Sequence, residues 1–192
     1  MIYTDAIRRS IKFSVKTHEV YQKQKRKGKD VAYITHPLTV GIILTRAGAD
    51  EEVIVAGILH DTIEDSVPEK KVTVEMLTER FGTKVADLVS DVTEHDRTLS
   101  WEDRKREALE HIAHFSHESL LIKSADILSN GTELVDDFAR HGEAAFGHFH
   151  ASKEKTLGNQ LRVIEALLGR WPESPLADDL RNLERDLRRI EG

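Results

Sequence analysis

The chain has 192 residues, enough for one domain with a proper core, and its 39% hydrophobic and 32% charged residues are the balance of a folded protein with a well solvated surface, not of a disordered one. A net charge of −6 disfavours general nucleic-acid binding, no apolar run approaches a membrane span, and the opening MIYTDAIRRS lacks the apolar core of a signal peptide, so a cytoplasmic protein without a membrane anchor is expected. Cysteine is absent, which excludes disulfides and thiolate metal sites and leaves imidazole nitrogen and carboxylate oxygen as the available metal ligands.

Leu, Ala, Glu, Lys and Arg recur at helical spacing, and the only prolines are Pro37, Pro68, Pro172 and Pro175, so an all-α fold of about eight to ten helices is predicted. A first helix is expected from about Thr4 into the basic stretch KQKRKGK, with Tyr3, Ile7, Ile11 and His18 near one stripe and Gly28 as its stop. Pro37 suits the first turn of a second helix closing at Gly48, and Asp50 can cap a third, EEVIVAGILHDTIED. Thr73 is positioned to cap VEMLTERF, and TKVADLVSDVTEH reads as a helix after Gly82. Ser100 followed by Asp103 resembles a capping box opening the next helix, and HESLLIKSADILSN is predicted to stop at Asn130 and Gly131. The tail carries KTLGNQLRVIEALLGRW, a turn at PESP, and a last helix with Leu176, Leu180, Leu183, Leu187 and Ile190 on one stripe. That stripe reads first as core and second as a seam for a homodimer. Residues 1–192 are expected to form a single domain, with 153–192 as C-terminal helices packed on it.

The chemistry gathers in GILHDTIEDS, residues 57–66. On one helix His60 lies over Glu64 and Asp61 over Asp65, so a single turn presents an imidazole and three acids to a common space. Such a cluster repels itself unless it is solvated or a cation holds it together. Imidazole with carboxylate suits manganese, iron or zinc better than magnesium or calcium. His36 at a helix entrance and Asp126 within the apolar run LLIKSADILSN are plausible further donors, although Asp126 could instead pair with Lys123 or Lys153.

These segments, AYITHPLTV, AGILHDTIEDS, FGTKVADLVSDVTE and IKSADILSN in that order, resemble the HD-domain phosphohydrolases, and within them the RelA/SpoT homologue hydrolases, nearest to the small stand-alone alarmone hydrolases. The resemblance implies an HD-domain helical bundle. It assigns His36, His60, Asp61 and Asp126 as ligands of one Mn²⁺ per chain, and Glu64 and Asp65 as the acidic pair acting on the nucleophilic water. Arg26 and Lys27 match the family's basic pair before the YITHP loop, where guanidinium grips phosphate, and Asn130 matches its asparagine on the substrate side. The implied reaction is hydrolysis of (p)ppGpp, a small nucleotide, releasing 3′-pyrophosphate and GDP or GTP, with no nucleic-acid or membrane partner and no further domain in the forty or so residues after the HD region, 153–192.

Two departures bear on nucleotide recognition: Ile127 and Gly131 stand where relatives carry a basic and an aliphatic residue, and GHFHASKEK, with His148, Phe149 and His150, stands where they place a tyrosine. Hydrolysis of a ppApp-type alarmone or of NADPH is the alternative enzyme reading, and a non-catalytic nucleotide-binding module the alternative outside catalysis. His18 reads as a buried, hydrogen-bonded histidine, the series His111, His114 and His117 as a solvated face, and Trp101 and Trp171 as packing residues, with Arg97 near Trp101.

Overall fold

The computed structural model describes residues 3–94, 96 and 98–192; His95 and the neighbourhood of Arg97 lie outside them, and the helix expected to reach His95 stops at Val92, where Thr93 is extended. The described residues are all-α, with a lone antiparallel bridge between Lys25 and Ala32 and no strand. They form two compact units, Met1–Arg26 with Asp30–His95, and Lys27–Lys29 with Asp96–Gly192.

In the first unit α1 (Asp5–Val15) starts where Thr4 accepts a hydrogen bond from Ile7 N, and it continues as a π-helical turn over Lys16–Tyr21. The helix therefore stops at Tyr21, well before Gly28, and Lys23 takes a left-handed φ of 51°. Helix α2 (Thr35–Arg46) carries His36 and Pro37 in its first turn and ends before Gly48, whose φ of 74° suits glycine. Helix α3 (Glu51–Leu59) is buried at every position from Val53 to Leu59 and packs against α1, α2 and α6, which explains its unbroken apolar run. Asp50 occupies its N-cap without a side-chain capping bond.

The long third helix expected from the sequence is interrupted. It ends at Leu59, and a separate short helix α4 (Thr62–Asp65) follows. Side chains take over the carbonyls at the break: His60 Nδ1 lies 2.8 Å from Gly57 O, and Thr62 Oγ1 donates to Leu59 O at 2.7 Å. Helix α5 (Val74–Phe81) is capped by Thr73, which accepts from Met76 N, and α6 (Thr83–Val92) follows Gly82.

In the second unit Ser100 caps α7 (Trp101–Ile112) through Asp103 N. Helix α8 (His117–His141) runs straight through Asn130 and Gly131, against the stop expected there. Gly131 serves close packing instead of termination: a Cβ there would lie 2.6 Å from Leu183 Cδ2 and 3.0 Å from Gln160 Oε1. The chain turns only at Gly142, with φ 56°. Helices α9 (Lys153–Arg170) and α10 (Ala177–Glu191) pack on α8 and on each other. Leu176, Leu180, Leu183, Leu187 and Ile190 are all buried there, so the leucine stripe is core of this chain. Exposed His117 stacks on Trp171 with ring centroids 4.2 Å apart. No described helix is long and apolar enough to cross a membrane.

Candidate functional site

Three predicted ligands converge in the first unit. His36 Nε2 lies 3.2 Å from His60 Nε2, His60 Nε2 lies 3.1 Å from Asp61 Oδ2, and His36 Nε2 lies 3.6 Å from the same oxygen. His36 and His60 are buried, at 3% and 5% exposure. The Gly57 carbonyl can only accept, so it fixes the proton of a neutral His60 on Nδ1 and turns the Nε2 lone pair toward the other two donors.

The donor set fits a divalent cation. Atoms about 2.1 Å from one ion stand roughly 3.0 Å apart at octahedral angles and roughly 3.4 Å apart at tetrahedral ones, and the three separations fall at or near those values. A lone pair facing a carboxylate in a buried space is unfavourable without a positive charge between them.

Two residues that sequence reasoning passed over hold this arrangement. Tyr33, between α1 and α2, donates its hydroxyl to Asp61 Oδ2 at 2.5 Å, and its ring lies against His18 and His36. Burial, helped by the Asp61 and Asp65 carboxylates, pushes its pKa well above the ordinary tyrosine range, so the hydroxyl remains a donor. Gln24 donates from Nε2 to Asp65 Oδ2 at 2.9 Å. The spacing of Tyr33 three residues before His36 is the one local hint of its role.

Glu64 and Asp65 lie on α4, both half-buried, and Asp65 N donates to Asp61 O at 2.9 Å, so the acids stay one turn from Asp61 despite the break after Leu59. Arg26 places its guanidinium 5.5 Å from the Tyr33 ring centre. His18 is fully buried with Nδ1 3.1 Å from Gln24 Oε1, as expected of a buried, bonded histidine, and burial pushes its pKa below the ordinary histidine range.

The second unit holds the remaining predicted residues. Asp126, 8% exposed on α8, accepts from Lys123 Nζ at 2.8 Å and from Asn130 Nδ2 at 2.6 Å. Its pairing with Lys123 is thus real, whereas Lys153 binds Glu143 instead. Asn130 sits inside the helix and is not its C-cap. Lys27 lies over the Phe149 ring at 5.2 Å, His148 packs against Gly28, and Lys29 is paired with Glu133 and Asp137 at 2.5 and 2.6 Å. The basic stretch is therefore partly neutralised, and Lys29 is a packing cation.

A model of the HD domain matches residues 11–146. The guanosine-3′,5′-bis(diphosphate) 3′-pyrophosphohydrolase MESH1 of Danio rerio is 37% identical over 133 residues, 68% of this chain and 70% of the relative. Its Homo sapiens counterpart is 35% identical over 162 residues, 81% of this chain and 87% of the relative. A solved structure described as a metazoan ortholog of SpoT that hydrolyzes ppGpp superposes with a TM-score of 0.74 at 25% identity, covering 98% of this chain and 94% of that one. With the family's domain matched over more than half its length, this chain belongs to the HD-domain family.

Proposed function

We propose that the protein is a divalent-metal-dependent 3′-pyrophosphohydrolase of (p)ppGpp, releasing pyrophosphate and GDP or GTP. The observation that carries the reading is the convergence of His36 Nε2, His60 Nε2 and Asp61 Oδ2 within 3.1 to 3.6 Å, one turn from two further acids. Relatives that carry this activity by name are 35% and 37% identical to the chain.

His36, His60, Asp61 and, by the family resemblance, Asp126 would hold the ion, with Mn²⁺ the resemblance's choice and one ion per chain. Once bound, such an ion would lower the pKa of a water and screen phosphate charge. Glu64 and Asp65 accept the proton of the attacking water and orient it toward the 3′-phosphorus. Two neighbouring carboxylates divide the work, one staying ionised while the other carries a proton. Arg26 and Lys27 grip the phosphates, the guanidinium in a bidentate fork, and Asn130 supports the nucleotide side. Residues 1–192 act as one catalytic domain, since the family match runs through both units. A cytoplasmic location belongs to the same reading, whereas the leucine stripe of α10, the second reading of which was a homodimer seam, is buried within the chain.

The test is incubation of the purified protein with Mn²⁺ and ppGpp, pppGpp, ppApp or NADPH, with products separated by ion exchange and chelated protein as control. Metal-dependent pyrophosphate release from ppGpp supports the proposal. Single-phosphate release from NADPH alone selects another enzyme, and no turnover selects a binding module.

A further inference from the structure

Gln24 is held at four points within the first unit. Its backbone N–H donates to His18 O at 2.9 Å, and its carbonyl accepts from Tyr33 N at 3.0 Å. Its side-chain Oε1 lies 3.1 Å from His18 Nδ1, and its Nε2 donates to Asp65 Oδ2 at 2.9 Å. The residue before it, Lys23, adopts a left-handed φ of 51°, a conformation a lysine takes only where its surroundings impose it.

The side-chain amide has one chemically sound orientation. Reversed, its carbonyl oxygen would face the Asp65 carboxylate, and two acceptors would repel. With Nε2 given to Asp65, Oε1 faces His18 Nδ1, and a buried neutral His18 then carries its hydrogen on that nitrogen. The amide thus links a core histidine to an acid 41 positions from Gln24 in sequence.

We propose that Gln24 is a positioning residue for Asp65, fixing the direction of its carboxylate toward the reacting water, with His18 bonded to the other end of the amide. The proposal rests on the role given to Asp65 above. It takes the chemistry one layer outward, to a residue that acts through the acid it holds.

Gln24→Glu is the sharpest variant, because a carboxylate can still accept from His18 but turns the donor facing Asp65 into an acceptor. Gln24→Leu removes both bonds at similar volume. Each is measured in the wild-type and in the Asp65→Asn background for kcat, KM, bound manganese and thermal midpoint. The expected result is a fall in kcat of about tenfold or more, comparable with the loss of other supporting bonds, with KM within about twofold, manganese content unchanged, and no further loss in the Asp65→Asn background. Wild-type kcat in Gln24→Glu overturns the proposal, as does an equal fold loss in both backgrounds, which marks a general structural role. If Gln24→Leu does not fold, Gln24→Glu decides alone. Asp65→Asn with wild-type turnover would instead overturn the role of Asp65, an outcome read before any Gln24 variant is compared.

Discussion

Tyr33 shows how much of a site is carried by residues that do no chemistry. Its hydroxyl meets Asp61 Oδ2 at 2.5 Å while its ring packs between His18 and His36, so one side chain orients the Asp61 carboxylate and the imidazole beside it. Tyr33→Phe keeps the ring and removes the donor. It is expected to weaken manganese binding by roughly 10- to 100-fold, with kcat recovering at saturating metal; titration of activity against free Mn²⁺ checks this, and an unchanged midpoint would reduce Tyr33 to packing. The ligands and the acids separate in another pair of variants. Asp126→Ala is expected to lose metal and turnover together, whereas Glu64→Ala keeps the metal and loses turnover, as read by metal analysis of the purified variants beside their rates. Full activity in metal-loaded Glu64→Ala would remove Glu64 from the mechanism.

At the scale of elements, the histidines meet because α2 and α3 approach closely at two glycines. A Cβ on Gly57 would lie 2.2 Å from Leu44 Cδ1 and 3.2 Å from Val40 Cγ1, and one on Gly41 would lie 2.8 Å from Ile58 Cγ1. Leu44 and Val40 are completely buried and have nowhere to move. Gly57→Ala is therefore expected to destabilise by about 1–3 kcal/mol and to weaken metal binding by parting His36 from His60. Gly169, near the end of α9 with open space around it, has the opposite sign: Gly169→Ala should stabilise by about 0.5–1 kcal/mol. Urea unfolding of the two variants compares them directly. Sequence reasoning reads the same elements unevenly, and for a physical reason. The caps at Thr73 and Ser100 are legible because a capping bond spans three residues. The passage of α8 through Gly131 was not, because Leu183 and Gln160 decide it from distant positions. The donors His36, His60 and Asp61 announced themselves by residue type, and their supports Gln24 and Tyr33 did not, being ordinary loop residues whose partners only the fold supplies.

At the scale of the whole molecule, a protein of net charge −6 acting on a polyanion depends on local cations, the bound ion foremost. His36, His60 and Asp61 are brought together only when the first unit is folded, and Asp126 belongs to the second. An unfolded chain offers no such arrangement, and binding free energy then adds to folding free energy. At a free manganese concentration of about 100 times Kd the added stability is about 2.7 kcal/mol. For a chain of this size that raises Tm by roughly 5–10 °C. Thermal unfolding with manganese and with chelator measures the rise, and His36→Ala and Asp126→Ala should abolish it equally although they lie in different units. A full rise in Asp126→Ala with none in His36→Ala would confine the ion to the first unit's three donors and remove Asp126 from the shell.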